Sequence, residues 1–244
     1  VTWLMLRRTL DSLISRLWLR GGMARRVLFG PYQGLTFGLS APMATRHSVY
    51  FRAYEPNVQT MLDAWVRPGM TVYVVGAHVG LHVLYCAKRL GGQGNVVAFE
   101  GWQENFEGLL WNVRLNPQLA ARIEPVNVCI AREPGTVLME QGGSDGKHHI
   151  ADMASGRTVE VAAVSLDAYF AEHTDPPGLL LIDIEGFELP ALQGGEALIA
   201  ACQPTLLLEH HNRQAELLDW LRAHDYTVHV QDKRHILAVS RARA

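Results

Sequence analysis

Cysteine is scarce in this 244-residue chain, and its scarcity rules out two structural devices. Only Cys86, Cys129 and Cys202 are present, far apart, in apolar runs and without any Cys-x-x-Cys spacing. Neither a disulfide framework nor a cysteine zinc site is expected, but rather three thiols in a reducing cytoplasm. No apolar run reaches the roughly 18 residues of a membrane-spanning helix. Arg7, Arg8, Asp11 and Arg16 interrupt any signal-peptide core near the start. Net charge is only −2, so the basic footprint of a nucleic-acid binder is missing and no nucleic-acid partner is expected. Internal repeats and low-complexity tracts are missing too, which excludes a solenoid.

What is there suits an ordinary globular protein: 48% hydrophobic and 19% charged residues. The length fits one α/β domain with an N-terminal extension. Charge is uneven, because six arginines against Asp11 give the first 30 residues +5 and leave −7 for the remainder. Residues 3–20 read as an amphipathic helix. Trp3, Leu6, Leu10, Leu13, Ile14, Leu17 and Trp18 recur near helical spacing, the arginines fall elsewhere on the wheel, and Gly21-Gly22 ends it. Such a helix either packs on the domain or makes peripheral contact with a membrane or partner. Residues 27–55 are short segments punctuated by Gly30-Pro31, Gly34 and Gly38. Residues 1–55 therefore read as an N-terminal helix and cap segment, and 56–244 as a single domain.

Within that domain the pattern is regular. Residues 57–66 predict a helix closed by Pro68-Gly69; 71–75, 95–99 and 122–130 predict strands, and 79–90 and 103–115 the helices between them. This βαβαβ order is that of a doubly wound, mostly parallel sheet. Strands at 136–140 and 158–164 flank a Gly/Ser/His-rich loop at 141–157, where His148 and His149 are either a solvated pair or part of a substrate lid. The continuous apolar run 178–184 predicts a buried parallel strand. A helix at 187–200, a strand at 204–209 and a helix at 212–224 follow. Residues 226–230 and 235–239 predict a C-terminal antiparallel hairpin.

Ligands of open α/β sheets bind outside the carboxyl ends of the strands. Four strand ends turn polar there: Gly76-Ala77-His78-Val79-Gly80, Glu100-Gly101-Trp102, Asp183 with Glu185 and Glu188, and Glu209-His210-His211. The first is a glycine turn at a helix N-terminus, which favours an anionic group. A mononucleotide loop needs a Lys-Ser/Thr that is missing, and a dinucleotide fingerprint needs glycine where His78 and Leu81 stand. S-adenosylmethionine, with a carboxylate and no phosphate, fits better, and Glu100 is placed to accept from its ribose hydroxyls. The expected cofactor residues are Gly76, Ala77, His78, Gly80, Glu100 and Trp102. The plainer alternatives are a tight turn, a solvated strand-end acid and a core tryptophan.

The stretches YVVGAHVGLHVLYCAKRLGGQGNVVAFEGWQENFEGLLWNVRLN (73–116), VEVAAVSLDAYF (159–170), LLLIDIEGFELPALQGG (179–195) and QPTLLLEHH (203–211) together resemble the FkbM family of methyltransferases. The most specific part is Asp-x-Glu-Gly followed by a helix ending in Gly-Gly. The resemblance spans roughly residues 50–211. It implies a class I methyltransferase, Rossmann-like fold and O-methylation, often of sugars or natural products. Three positions depart from the family pattern. Val74 replaces an acid, Leu181 a lysine and Gly101 a proline.

On this reading the acceptor is a hydroxyl of a small molecule or glycan, and Asp183 or His210 is the base, with Glu185 and Glu209 orienting the acceptor. Asp183 and Glu185 share a face if the strand continues past residue 183. The alternatives are a helix N-cap for Asp183 and a first-turn acid for Glu188. No metal is expected, although Asp183, Glu209 and His210 form a conceivable mixed ligand set. His211 reads as a surface or capping residue. The competing function is a methyltransferase-like domain that binds or scaffolds without catalysis, favoured by Val74 and Leu181 and opposed by Glu100, Asp183, Glu185 and Glu209.

Overall fold

The computed structural model describes residues 24–38, 48–50, 54–141, 148–150, 158–173, 175–211 and 214–242. The amphipathic segment 3–20 and most of the 141–157 loop lie outside the described residues. No helix among the described residues is long and apolar enough to cross a membrane.

Seven strands form the main sheet: β3 (Thr71–Val75), β4 (Asn95–Phe99), β5 (Ile123–Val126), β10 (Pro177–Ile182), β11 (Thr205–Glu209), β12 (Tyr226–Val230) and β13 (His235–Ser240). Their order is β12-β13-β11-β10-β3-β4-β5. The five strands from β11 to β5 are parallel; β13 runs antiparallel to both β11 and β12. The C-terminal hairpin thus exists as expected, but its second strand inserts between β11 and the first. The order reverses between β3 and β10, the switch point where doubly wound sheets place ligands.

The sheet is doubly covered because its central strands carry consecutive apolar residues, so alternate side chains enter two separate cores. Val72, Val74, Val96, Ala98, Leu179, Leu181 and Leu207 face the first. Tyr73, Val75, Val97, Phe99, Leu180, Ile182, Leu206 and Leu208 face the second. Helices α1 (Pro56–Trp65), α2 (Leu81–Arg89) and α3 (Gln103–Arg114) cover the first core. Val27, Tyr32, Leu35, Phe37, Val49 and Tyr50 also enter it, so the described N-terminal residues share the core of the sheet. They include a two-stranded ribbon, β1 (Arg25–Arg26) and β2 (Thr36–Phe37). After α3 a single turn, α4 (Pro117–Ala120), leads into β5. The second core is closed by α5 (Leu166–Glu172), α6 (Glu188–Gln193), α7 (Glu196–Cys202) and α8 (Gln214–Ala223).

Three expectations need correction. The run 122–130 is not one strand. β5 ends at Val126, and β6 (Cys129–Ile130) joins a separate four-stranded sheet with β7 (Gly135–Gln141), β8 (His148–Ile150) and β9 (Thr158–Val164), in the order β6-β9-β7-β8. The loop at 141–157 accordingly contains a short strand, β8, paired with β7. The helix at 187–200 is two helices, α6 and α7. At Gly194, between them, a Cβ would lie 2.5 Å from the Ala131 carbonyl oxygen, so that helix end is packed directly on backbone.

Val74 and Leu181, two of the departures from the FkbM pattern, are cross-strand neighbours in register between β3 and β10, and both face the first core. An acid and a lysine at these positions would stand side by side. Their joint replacement by apolar residues removes a buried charge pair as a unit, a change that is often neutral or stabilising. Val74→Asp alone should destabilise by about 3–5 kcal/mol, as expected of an unpaired buried charge. Adding Leu181→Lys should recover at least about 1 kcal/mol, read from a urea-unfolding double-mutant cycle.

Candidate functional site

The carboxyl ends of β3, β4, β10 and β11 meet at one edge. The turn after β3 is tight because Gly76 (φ +83) stands against the next strand end: a Cβ there would lie 1.9 Å from the Asp183 carbonyl oxygen. The Gly76 and Ala77 N–H groups both donate to the Phe99 carbonyl (3.0 and 2.9 Å). Ala77 is buried in the first core. His78 adopts a left-handed conformation (φ +48), costly for a non-glycine residue. Gly80 (φ +87) is the N-cap of α2.

Glu100 holds this turn in place. Its Oε2 accepts the His78 N–H at 2.7 Å and its Oε1 the Trp102 N–H at 2.8 Å, so one carboxylate ties the loop after β3 to the loop after β4. Glu100 is therefore neither solvated nor spare. Burial pushes its carboxyl up to about 7, against the lowering effect of the Trp102, His78 and Asn105 hydrogen bonds and with a further rise from the Asp183 charge. Those three donors leave Glu100 one lone pair for a ligand hydroxyl.

Beside Glu100 lies a cavity of about 310 Å³ lined by Gly101, Trp102, Gln103, Asn127 and Val161, among others. Asn127, which the sequence did not single out, donates to the Glu100 and Gly101 carbonyls (2.8 and 3.3 Å) and so shapes its floor. Trp102 is mostly a core residue, packed with Cys129, Ala131, Met139 and Ala163. Gly101 stands where a Cβ would meet the Cys129 sulfur at 2.2 Å, so the small sheet could not pack as it does on proline.

The other half of the edge is built around His211. Its Nε2 lies 3.0 Å from Glu185 Oε2 and 3.6 Å from Glu209 Oε1, and its Nδ1 lies 3.1 Å from Glu188 Oε1. Hydrogen bonds to Glu185 and Glu188 raise the His211 pKa to about 10, against the lowering effect of burial. Asp183, Glu209 and His211 present donor atoms all within 4.8 Å of one another. Arg234 forms a second, closer ion pair with Glu209.

The sequence-predicted residues are thus largely brought together, with changed partners. His210 is buried, its N–H donates to the Arg234 carbonyl at 2.7 Å, and burial lowers its pKa. His211 rather than His210 joins Asp183 and Glu209, because residues two apart at a strand end point the same way. That period-2 rule could have found it. Glu185 does not continue a strand: β10 stops at Ile182, and Glu185 reaches His211 from a left-handed turn (φ +52). Asp183 is not a helix N-cap, since that position in α6 is Phe187. Glu188 does more than favour a helix dipole, accepting from the Gly186 N–H (3.0 Å) and contacting His211. Also unforeseen are Glu55, whose Oε2 lies 2.7 Å from His82 Nε2, and Tyr54, whose hydroxyl pKa is raised by burial and by the Glu55 and Asp183 charges. Nothing in their local sequence marks them, because they arrive from the segment before α1.

Glu100 yields a pH prediction. Its folded pKa of about 7 lies above its ordinary value of 4.5, so the folded state binds the proton more tightly than the unfolded chain. Its contribution to stability is therefore greatest below pH 4.5 and declines as pH rises toward 7, by about 3 kcal/mol at most. Urea unfolding between pH 5 and 8 should show this decline in the wild type. It should be flattened in Glu100→Gln, whatever the constant cost of the amide.

Comparison with known proteins places this geometry. No curated protein sequence matches the chain. Among solved structures, it superposes on the methyltransferase FkbM from Methylobacillus flagellatus KT with TM-score 0.54 and 20% identity, covering 71% of this chain but only 44% of that one. It thus spans less than half the length of that protein. The putative methyltransferase yhhF from Escherichia coli superposes with TM-score 0.50 and 10% identity, over 89% of this chain and 99% of that one. At these identities the likeness is one of fold, the class I methyltransferase or Rossmann-like fold. The sequence itself matches the methyltransferase FkbM domain over residues 75–228, more than half of its length, and the chain belongs to that family.

Proposed function

We propose that this protein is an S-adenosylmethionine-dependent methyltransferase acting on a hydroxyl of a small molecule, sugar or natural product. The observation that carries the reading is the convergence, at one sheet edge, of a glycine turn without the residues of a phosphate-binding loop, the buried Glu100 clamp and a carboxylate–imidazole cluster. The residues fit the cofactor. The first turn of α2, which follows Gly80, presents helix-start N–H groups for a carboxylate, Glu100 keeps a lone pair for a ribose hydroxyl, and the cavity at Gly101, Trp102 and Asn127 adjoins it for the base. Bound there, S-adenosylmethionine supplies an electrophilic methyl group.

The remaining work falls to the chain. Transfer needs an acceptor oxygen held in line and freed of its proton, with water kept out. The Asp183 backbone carbonyl stands against the Gly76 turn and its carboxylate lies with Glu209 and His211, which makes it the better base; the His210 N–H supports the strand end through the Arg234 carbonyl. Glu185, Glu209 and His211 orient the acceptor. The two departures that favoured a scaffold, Val74 and Leu181, are cross-strand neighbours in the first core, which supports reading them as one packing change rather than as damage to the site. Cys86 and Cys129 are buried thiols, in keeping with a cytoplasmic protein.

Calorimetry with S-adenosylmethionine tests the cofactor: the wild type should bind, and Gly76→Ala should not. Absence of wild-type binding at millimolar ligand would defeat the reading. Once an acceptor is known, Asp183→Asn should lower kcat by about 100-fold or more, the typical contribution of a positioned base.

A further inference from the structure

Glu209 and His211 leave β11 two residues apart, and Asp183 leaves the neighbouring strand β10. We propose that Asp183, Glu209 and His211 form a binding site for one first-row divalent cation, with Mn²⁺ as the fitting probe. The metal's role toward an acceptor hydroxyl rests on the methyltransferase reading; the site itself does not.

Geometry supports it first. One donor atom from each residue lies within 4.8 Å of the other two. Two ligands of one ion at bonds of about 2.1 Å stand at most about 4.2 Å apart, so a small side-chain adjustment completes the site. The donor chemistry agrees. Two carboxylates and one imidazole form a mixed hard and borderline set, suited to Mn²⁺, Fe²⁺ or Zn²⁺ more than to Ca²⁺.

An outer shell is already built. Glu188, almost wholly buried, accepts the Gly186 N–H and stands 3.1 Å from His211 Nδ1. Metal binding displaces the Nε2 proton to solvent, so that Nε2 ligates while the Nδ1 proton stays directed at Glu188, which fixes the ring orientation as carboxylates do behind metal-bound histidines. Burial provides a second reason. Glu209 is 3% exposed at the end of an apolar strand, where a carboxylate requires a cation. Its present cations are His211 and Arg234, and the Arg234 side chain is 51% exposed, free to turn into solvent when a metal ion replaces it. Glu185, 3.0 Å from His211 Nε2, adds negative charge at the rim. Three protein ligands leave positions open for water or an acceptor hydroxyl, whose pKa the ion would lower beside the Gly76 turn.

The test uses the full chain freed of metal by chelator and titrated with Mn²⁺, bound ion being counted by paramagnetic resonance. The site predicts one Mn²⁺ per chain. His211→Ala and Glu209→Gln should each weaken binding by about tenfold or more, a loss at least as large as outer-shell changes bring. Arg234→Gln should tighten it, because a competing cation is gone; simple loss of structure would not do this. Should the ligand variants fail to fold, wild-type NMR decides. Mn²⁺ should broaden the His211 ring signals and spare those of His173, which precedes β10 at the opposite edge. No binding at millimolar Mn²⁺, or binding unaffected by both ligand variants, overturns the site. So does broadening that spares His211. Calorimetry with S-adenosylmethionine on the same samples separates the two readings. Cofactor binding without Mn²⁺ binding defeats the metal site alone, and Mn²⁺ binding without cofactor binding upholds the site and defeats the methyltransferase reading.

Discussion

One buried carboxylate, Glu100, accepts backbone N–H groups from two different loops, and the rest of the edge is arranged around that constraint. His78, in a left-handed turn, donates its N–H to Oε2, and Trp102, at a bend before α3, donates its N–H to Oε1. Those donors offset only part of the desolvation of an acid at this depth, which is why its carboxyl is still pushed up. Because Glu100 fixes the turn after β3, it also fixes how Gly76 meets Asp183. A chain contact made entirely of backbone thus joins the β3 and β10 ends across the switch point of the sheet.

The edge divides electrically into two halves. On the β3–β4 side a single acid serves N–H donors beside an open cavity. On the β10–β11 side several acids gather about one imidazole and one guanidinium, with His211 held cationic by hydrogen bonds to Glu185 and Glu188. The first half is suited to orienting a neutral or zwitterionic ligand through hydrogen bonds, the second to handling charge. Asp183 stands between them, which is why its carboxylate raises the pKa values of both Glu100 and Tyr54.

Much of this was readable along the chain. Apolar runs marked β3, β4, β10 and β11, the first three beside glycines, and the polar residue after each run marked the edge. The small sheet was harder to read. Cys129 and Ile130 follow β5 so closely that one run of apolar residues conceals a change of sheet. Gly194-Gly195 ended a helix by its sequence; in the fold it is a break between two helices, set by the approach of Ala131 and Leu166. Val74 and Leu181 looked like two independent losses more than a hundred residues apart, and became one exchange only when register placed them side by side.

Sequence alone determined the alternation of strands and helices, the parallel core and the list of polar residues at its edge, because hydrophobic period and glycine punctuation are local properties. Tertiary structure decided which of those residues meet. It replaced His210 by His211, drew Glu188 and Arg234 into the cluster, and brought Glu55 and Tyr54 from a segment with no signal of its own. The reason is geometric. A side chain's direction at a strand end depends on where the strand stops and how the chain turns, and its charge state on neighbours that only the packed sheet supplies.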